Sequence, residues 1–315
     1  MKPYILTVTL NPAVDKTVNV DNFKTGRDFR EQNISISAGG KGINVSRVLK
    51  HLGVLSLTSG FLGGSDGNYI KNQLDKEKII HDFYPIKGNT RTSLTVIDPV
   101  ANTITRILER GPAITKKDTA VFKKKFFGLI KNCRAVILSG RNIPGASDSF
   151  YRDLIRIAKR KNIISVFDTS GGPLEIGLEA KPFMIKPNLK ESEQLLGRNL
   201  NSLTELKKAL RYFTKCGITI AAITLGSKGA IVADGKQILQ ALPPKVRRKS
   251  PVGCGDAFIA GFIAAYLRNN PFSHCLKQAV ACGTANVLSL NPGFIKPGTL
   301  KSIIRQVKIK EITNK

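Results

Sequence analysis

The chain has 315 residues, which is enough for one large α/β domain or two small ones with a dry hydrophobic core. Hydrophobic residues make up 42% of it, and no apolar run approaches the about 18 residues that a membrane-spanning helix needs. The 50 basic residues outnumber the 22 acidic ones, but they are scattered without interleaved aromatic residues, which favours a basic surface over a nucleic-acid interface.

Strands and helices alternate along most of the chain. The first apolar run, residues 4–10, soon meets Asn-Pro and is typical of a first strand rather than a signal peptide. Further strands are predicted at residues 56–63, 134–140, 163–171 and 218–226, with a strand running into a helix at 182–191. Helices are predicted at residues 42–53, 68–79, 148–162, 202–217, 257–270 and 272–290. This alternation predicts a mainly parallel sheet covered by helices on both faces.

Two stretches break the alternation with strand-like patterns that no helix separates. One combines residues 16–26 and 31–37, and the other spans residues 92–109 with a hairpin turn at "DPVAN". They predict four short antiparallel strands that form a small sheet separate from the main one. Because two distant segments contribute to this sheet, we expect it to act as a lid.

The cysteine pattern points away from a metal or disulfide framework. Five cysteines occur without a CxxC pair, and the chain has only three histidines. An odd number of isolated cysteines is typical of a protein from a reducing compartment, so we expect a cytoplasmic location.

A glycine cluster, "AGGKGINVSRVL", precedes the helix predicted from residue 42. Gly39 and Gly40 allow the backbone to approach a ligand, and the helix start supplies unpaired N–H groups. Lys41 adds a cation, and Asn44 both donates and accepts hydrogen bonds. This chemistry fits a polyol or a phosphate, although a plain strand–helix turn has the same pattern. The spacing matches neither GxxxxGK[ST] nor GxGxxG.

A second glycine-rich helix start, "SPVGCGDAFIAGF", lies near the other end of the chain. The backbone N–H groups of Gly253, Cys254 and Gly255 can form an anion-binding concavity. Asp256, in the first helical turn, can align and deprotonate a substrate hydroxyl while that concavity holds charge on a phosphate. An ordinary helix N-cap is the alternative role for Asp256.

Eight segments, in order and over essentially the whole chain, resemble motifs of the ribokinase-like (PfkB-type) carbohydrate kinases. They are "TLNPAVD", "AGGKGINVSRVLKHLG", "NTRTS", "LSGRNIPG", "FDTSG", "IKPNLKE", "ITLGSKGA" and "SPVGCGDAFIAGF". The combination of TLNP, GGKGIN, ERGP and IKPN most resembles the 1-phosphofructokinase and tagatose-6-phosphate kinase branch. The resemblance implies one three-layer α/β/α domain over residues 1–315, with a mainly parallel central sheet and a small β-sheet lid from about 16–37 and 91–109.

The implied activity is transfer of the γ-phosphoryl group of ATP to a ketohexose monophosphate, with Mg²⁺ as cofactor. Fructose 1-phosphate is the favoured acceptor, and tagatose 6-phosphate or fructose 6-phosphate is the close alternative. A sugar-phosphate-binding protein without catalysis is an alternative of another class, which the intact Asp256, Asn188 and Glu191 oppose. By analogy, a homodimer through the lid strands is expected.

The resemblance also implies site residues. Asp256 is the catalytic base and residues 253–255 form the anion hole. The substrate side is expected to comprise Asp15, Gly39, Gly40, Lys41, Asn44, Arg91, Arg27, Arg30 and Ser139, with the acceptor phosphate on Lys41, Arg91 and either Arg27 or Arg30. Among these, Arg91 is favoured because a guanidinium pairs bidentately with phosphate. For Arg27 and Arg30, an exposed position without a ligand is an equal alternative.

On the nucleotide side, the implied residues are Lys186, Asn188, Thr224, Gly226, Ser227, Gly229 and Asn286, the last against adenine. Asn188 and Glu191 lie three apart across a helix start, which places both on one face. The resemblance gives them a role in organising Mg²⁺ through water, which suits the reluctance of this ion to dehydrate. A helix cap with a surface glutamate is the simpler alternative.

The chain departs from the family pattern at three places. One is Ser250-Pro251, where the proline removes a backbone donor from the loop. Cys254 replaces the usual Ala or Ser between the two glycines, and we expect the helix N-terminus to lower the pKa of its thiol. Arg141 and Asn142 stand where the family has small apolar residues, which changes the wall of the sugar site and leaves the acceptor open.

Overall fold

The structure is a computed structural model that describes residues 3–30 and 34–312. Its strands are β1 Tyr4–Thr9, β2 Ala13–Asn19, β3 Ile34–Gly39, β4 Ser56–Leu62, β5 Ile80–His81, β6 Tyr84–Pro85, β7 Arg91–Asp98, β8 Thr103–Leu108, β9 Cys133–Ser139, β10 Ile164–Asp168, β11 Met184–Ile185, β12 Ile220–Thr224, β13 Ala230–Ala233, β14 Ile238–Leu242 and β15 Lys308–Glu311. Its α-helices are α1 Lys41–His51, α2 Gly64–Lys76, α3 Lys116–Leu129, α4 Phe150–Arg160, α5 Gly172–Leu178, α6 Leu189–Leu196, α7 Leu203–Lys215, α8 Cys254–Tyr266, α9 Phe272–Asn286 and α10 Pro297–Gln306.

A large sheet crosses the centre of the molecule in the order β15-β14-β13-β12-β11-β10-β9-β1-β4-β5. The strands from β12 to β5 pair in parallel, because helices make the crossovers between them. The edge of β13, β14 and β15 pairs antiparallel. The predicted α/β class with a mainly parallel sheet is confirmed.

Side chains alternate between the two faces of the sheet and build two cores. Leu6 and Val8 of β1 face a core with α3, α4 and α7, whereas Ile5 faces a second core with α1, α8, α9 and α10. Helix α8 is buried along almost its whole length. Its small and aromatic residues therefore pack on all sides, and this fixes the position of its first turn.

The second sheet is small and has the strand order β3-β2-β7-β8. The hairpins β2–β3 and β7–β8 are antiparallel, but β2 pairs with β7 in parallel. The expectation of four antiparallel strands is therefore wrong at this central pair, because α1, β4 and α2 lie between the two strands in the chain. Strand β2 also ends at Asn19, so residues 20–26 of the predicted strand are a loop, and residues 31–33 lie outside the described part of the chain.

Asp98 joins that loop to the β7–β8 hairpin. Its carboxylate accepts backbone hydrogen bonds from Val100 and Ala101 inside the turn and from Asn22 and Phe23 in the loop, at 2.8–3.2 Å. These bonds explain why "DPVAN" forms the predicted turn and why the loop returns to the small sheet. Across residues 3–30 and 34–312, no helix is both long and apolar enough to cross a bilayer.

The turn between β12 and β13 provides a stability test. Gly226 and Gly229 both have positive φ, at 60° and 81°, but only Gly229 is enclosed: a Cβ there would lie 1.9 Å from the carbonyl oxygen of Ala241, whereas one on Gly226 would meet nothing within 4 Å. We expect Gly229→Ala to lower the free energy of unfolding by at least about 3 kcal/mol, and Gly226→Ala by about 1 kcal/mol from backbone strain alone. Urea unfolding of both variants checks this, and equal losses would contradict it.

Candidate active site

Predicted functional residues gather where parallel strands end. β9 ends at Ser139, β10 ends at Asp168, and Lys186 directly follows β11. Helices α1 and α8 begin at the same edge, with Lys41 and Cys254 as their first residues. Open α/β sheets bind their ligands at the carboxyl ends of the strands, so this edge is the candidate site.

Asp168 is a buried carboxylate shared by two lysines. Lys41 Nζ donates to Asp168 Oδ2 at 3.0 Å, and Lys186 Nζ lies 3.2 Å from Asp168 Oδ1. Burial raises the pKa of Asp168, but the two ammonium groups outweigh it and hold that pKa below its ordinary value. Sequence analysis matched "FDTSG" to the family without assigning a role to Asp168; a carboxylate at the end of a buried strand was the available signal.

Asp256 lies in the first turn of α8 and is only 5% exposed. Its Oδ2 accepts a 2.8 Å hydrogen bond from Nδ2 of Asn44. Burial raises the pKa of Asp256 to about 6, with Asp168 adding to the rise while Lys41 and Lys186 oppose it. Such a carboxylate is ionised at neutral pH and is a stronger base than an exposed aspartate.

The loop before Asp256 presents backbone N–H groups beside a cation. Gly253 has a φ of 80° and leads into Cys254 and Gly255 at the helix start. A Cβ on Gly255 would lie 3.1 Å from Nζ of Lys186, so this ammonium group lies next to the helix N-terminus. Both features attract an anion, and the N–H of Cys254 also donates to the carbonyl of Pro251 at 3.4 Å. The anion hole expected at residues 253–255 stays a prediction.

The buried side chain of Asn286 makes hydrogen bonds to the loop that precedes Asp256. Its Nδ2 donates to the carbonyl of Val252 at 2.8 Å and approaches Cys254 Sγ at 3.4 Å, while its Oδ1 accepts from the N–H of Gly293 at 2.8 Å. The side chain is completely buried, so its contact with adenine stays a prediction and its observed contacts are with the loop. Burial raises the pKa of the Cys254 thiol, so the lowered pKa expected from the helix terminus is wrong.

Asp15 lies inside β2, and its carboxylate lies against Gly39. A Cβ on Gly39 would be 2.1 Å from Asp15 Oδ2, so this position has no room for a side chain. Burial raises the pKa of Asp15, and the charge of Arg91 opposes the rise. Arg91 Nε donates to the carbonyl of Asn11 at 3.2 Å, which connects the TLNP segment with β7.

Arg91, Arg47 and Arg106 act on the carboxylate of Asp15, and Arg141 acts on Arg91. Burial lowers the pKa of Arg91, Asp15 opposes this effect, and the like charge of Arg141 adds to it. Arg106 acts on Asp15 electrostatically, and the strand registers place both on the same face of the small sheet. Sequence analysis identified Arg91 as a phosphate ligand and Arg141 as a departure, but missed Arg106, which has no motif of its own.

The remaining substrate-side residues differ in burial and in their contacts. A Cβ on Gly40 would lie 2.9 Å from the Thr9 side chain, so Gly40 forms the tight entry into α1. Ser139 is fully buried, and its hydroxyl has no hydrogen-bond partner in the described part of the chain. Arg27 and Arg30 are exposed in the loop after β2, and a role for either in binding phosphate stays a prediction.

On the nucleotide side, Asn188 and Glu191 form a capping box at the start of α6. Asn188 Oδ1 accepts from the N–H of Glu191, and Glu191 Oε2 accepts from the N–H of Asn188, both at 2.9 Å. The backbone of Asn188 pairs with Thr224, which brings the end of β12 to this helix start. Gly226 and Ser227 follow in an exposed turn, with Gly229 behind them.

The residues present fit a magnesium ion held through water and substrate. Glu191 uses one carboxylate oxygen in the capping box, and its charge acts on Lys41 across the site. No cluster of three or more His, Cys, Asp or Glu side chains suited to a metal occurs among residues 3–30 and 34–312. Mg²⁺ commonly takes one or two carboxylates together with waters and substrate phosphates, so this sparse arrangement is compatible with it.

Comparison with known proteins identifies the family. The model described as pfkB family carbohydrate kinase matches residues 8–297. The chain belongs to the pfkB family of carbohydrate kinases. It is similar to a tagatose-6-phosphate kinase of Staphylococcus epidermidis, with 35% identity over 311 residues, 98% of this chain and 100% of that protein. A membership of this kind makes it an ATP-dependent sugar-phosphate kinase.

Two solved structures agree with this assignment. A crystal structure of a protein proposed to be a phosphofructokinase from Staphylococcus aureus has 29% identity, a TM-score of 0.84 and coverage of 99% of this chain and 100% of that one. A structure from Thermotoga maritima, described as a possible 1-phosphofructokinase, has 25% identity, a TM-score of 0.87 and coverage of 98% and 100%. The ribokinase-like fold expected from the sequence is thereby confirmed.

The buried carboxylate of Asp256 gives a pH-dependent stability prediction. Its folded pKa of about 6 lies above its ordinary 3.8, so the folded protein binds this proton more tightly and loses stability as pH rises through that window. Asp256→Asn removes the ionisation, and we expect it to raise the free energy of unfolding at pH 7.5 by up to about 3 kcal/mol.

Thermal and urea unfolding of this variant at several pH values measures the effect. The gain is expected to shrink between pH 7.5 and pH 5, and the exposed Asp21→Asn variant should show a change within ±0.5 kcal/mol as a control. A gain that is absent, or constant across this range, would contradict the burial of an ionised Asp256.

Proposed function

We propose that this kinase transfers the γ-phosphoryl group of ATP to a ketohexose monophosphate, with Asp256 as the catalytic base. The observation that carries the proposal is the position of a buried, hydrogen-bonded carboxylate next to a helix N-terminus and two lysines. Phosphoryl transfer depends mainly on positioning and on stabilising charge, and these groups supply both.

In the proposed reaction, Asp256 accepts the proton of the acceptor hydroxyl as its oxygen attacks the γ-phosphorus. The bond between the γ-phosphorus and the β–γ bridging oxygen breaks, and ADP leaves with that oxygen. The N–H groups of Gly253, Cys254 and Gly255 and the ammonium group of Lys186 then lie where negative charge is held on the transferred group. The pKa of about 6 for Asp256 keeps it ionised at neutral pH.

Mg²⁺ is proposed at the Asn188–Glu191 end of the site, held by Glu191 through water. When bound, it neutralises charge on the β- and γ-phosphates. Glu191 remains half-buried at the start of α6, where the capping box fixes its direction. Thr224, Gly226, Ser227 and Gly229 border the proposed nucleotide phosphates because the Asn188–Thr224 pairing brings them to that end.

At the other end, Asp15 and the backbone at Gly39 and Gly40 are proposed to hold sugar hydroxyls. Arg91 is the proposed ligand for the phosphate that the acceptor already carries, with Arg106 and Arg141 adding charge nearby. This arrangement fits an acceptor whose existing phosphate and reacting hydroxyl lie at opposite ends of the sugar. The phosphate would bind at Arg91, and the hydroxyl would lie at Asp256.

Fructose 1-phosphate is the proposed acceptor, in agreement with the motif combination and with the Thermotoga structure described as a possible 1-phosphofructokinase. Tagatose 6-phosphate is the second candidate, favoured by the 35% identity to a protein with that name. Fructose 6-phosphate has the same pattern of a phosphate and a distant carbinol. Arg141 replaces a small apolar family residue beside the pocket, so the acceptor must be decided by assay.

A coupled ADP-release assay with a panel of ketohexose phosphates tests this proposal. We expect Mg²⁺-dependent turnover with fructose 1-phosphate at the highest kcat/KM, and a loss of about 10²–10⁴-fold in kcat for Asp256→Asn. A higher kcat/KM for tagatose 6-phosphate or fructose 6-phosphate would reassign the acceptor. Tight binding without turnover by the wild type would support the non-catalytic alternative, and full activity of Asp256→Asn would remove the proposed base.

We infer that the whole chain forms one kinase domain, in which the small sheet is a lid and also the dimer surface. Asp15 faces the pocket, so Lys16 faces the opposite side, and its row across the four strands contains Ile36, Leu94 and Ile107. Ile36 and Ile107 are 46% and 60% exposed. Leu94 between them is partly buried against Val18 and Val96. The two exposed isoleucines on either side favour a second copy of this surface as the partner.

The dimer is tested by sedimentation of two matched variants. Ile107→Asp places a carboxylate in the proposed interface, and we expect it to weaken the dimer by at least about tenfold because burying an unpaired charge is unfavourable. Ile104, at 44% exposed on the other face of β8, provides the control Ile104→Asp, which should remain dimeric. A monomeric wild type, or equal weakening by both variants, would contradict the proposed surface.

A further inference from the structure

A line of side chains runs from the surface to the buried carboxylate of Asp256. The carboxylate of Glu77, just after α2, accepts two hydrogen bonds from the guanidinium of Arg47, at 2.6 Å and 2.8 Å. Arg47 Nη1 donates at 3.2 Å to Oδ1 of Asn44, whose Nδ2 donates at 2.8 Å to Asp256. Asn44 and Arg47 are one turn apart on α1, so the helix itself sets their spacing.

Hydrogen-bond chemistry fixes which way the amide of Asn44 points. Arginine has donors and no acceptor, so only the oxygen of Asn44 can face Arg47 favourably. The amide nitrogen must then face Asp256, where a carboxylate can only accept. The reverse orientation would place donor against donor at Arg47 and acceptor against acceptor at Asp256, unless Asp256 took up a proton.

We propose that Arg47 is a positioning residue for phosphoryl transfer, because it orients the amide of Asn44 so that its N–H donates to the catalytic carboxylate of Asp256. Arg47 does not contact the acceptor hydroxyl in this role. The inference rests on the proposed function of Asp256 as base, and it concerns a residue outside the set implied by the motifs.

The surroundings of Arg47 hold it in this geometry. Its side chain is only 11% exposed, and the two bonds to Glu77 restrict the guanidinium plane. A Cβ on Gly293 would lie 2.9 Å from Arg47 Cβ and 2.8 Å from the carbonyl of Asn44, so the loop at Gly293 packs directly on the stem of Arg47. The same loop is bonded to Asn286, which holds the turn before α8.

Removal of Arg47 has a specific electrostatic consequence. The amide of Asn44 is then free to turn its oxygen toward Asp256, where it stabilises the protonated acid and not the base. The other charged groups that face Asp256, which are Lys41 on α1, Asp168 on β10 and Lys186 after β11, remain in place. The expected effect is therefore a shift in the protonation of Asp256 rather than a general loss of the site.

The test compares Arg47→Met with Lys50→Met in single-turnover phosphoryl transfer at saturating ATP, Mg²⁺ and acceptor, from pH 5.5 to 9. Lys50, on the same helix, donates to the backbone carbonyl of Glu77 and has no described contact with Asn44, so it is a matched control. We expect the acidic limb of Arg47→Met to move up by about one pH unit, which is about a tenfold loss at low pH that is recovered at pH 9. Rates are compared as ratios to the wild type, because the phosphates of the substrates titrate equally in every protein.

Arg47→Lys, which keeps a positively charged donor, should restore part of the wild-type pH profile. The control Lys50→Met should match the wild-type profile at every pH. An unshifted limb in Arg47→Met, or a uniform loss that pH 9 does not recover, would overturn the proposal and indicate a merely structural role. A change confined to the acceptor KM would also overturn it, since Arg47 acts on Asp15 as well.

Two further outcomes keep the inference separate from the proposed function. If Asp256→Asn retains activity, the base itself is misassigned, whereas loss of activity there with an unshifted Arg47→Met profile removes only the positioning role. Should Arg47→Met fail to fold, Glu77→Gln carries the test. This variant weakens the ion pair that holds the guanidinium while leaving Arg47 in place. For the proposal to stand, it must shift the acidic limb of the pH–rate profile in the same direction.

Discussion

The candidate site depends on one buried charge, the carboxylate of Asp168. It joins Lys41 at the start of α1 to Lys186 after β11, and so connects the first glycine-rich helix start to the middle of the main sheet. A buried ion pair is no strong source of stability, because desolvation offsets much of the attraction. Its value here is positional: without Asp168, two buried or half-buried ammonium groups would repel each other beside the helix N-terminus. With it, both remain charged and fixed.

Asp256 shows the opposite balance between stability and function. Nearly complete burial raises its pKa, so the ionised form that the proposed role as base requires is the less stable one. The protein keeps this form at neutral pH through Lys41, Lys186 and the hydrogen bond from Asn44. Active sites commonly contain groups in such unfavourable states, and the tightly packed α8 provides the rigidity that holds this one.

Much of the site could be predicted because its parts are local in the sequence. Glycines before a helix, as at Gly39 and Gly253, mark a close approach of the backbone in any context, and Asp256 follows in the same segment. Asp168 and Arg106 could not be assigned in this way, since each functions through partners more than 100 residues away or on another strand. Hydrophobic periodicity places a residue on a face but does not say which distant charge it meets.

The errors have equally physical causes. Helix α3 was not predicted because its many lysines obscure an apolar face of Phe122 and Phe126, although Thr115 and Asp118 form a capping box at its start. The parallel pairing of β2 with β7 depends on a crossover that no local pattern reveals. Cys254 has a raised pKa because burial, together with the charge of Asp256, outweighs the hydrogen bond with Asn286, and burial is a property of the folded chain.

The charges of the site also give a reason for its division into two ends. Near Asp256, the ammonium groups of Lys41 and Lys186 are balanced by two carboxylates, so this end is close to neutral before nucleotide binds. At the Asp15 end, Arg91, Arg106 and Arg141 outnumber the carboxylates of Asp15 and Glu109. The remaining positive charge suits a phosphate carried by the acceptor. A nearly neutral transfer end cannot by itself balance the charge of ATP, which favours binding of the nucleotide together with a divalent cation. Much of the formal charge of +28 lies on scattered residues away from these two ends, where it raises the general attraction of anions without selecting among them.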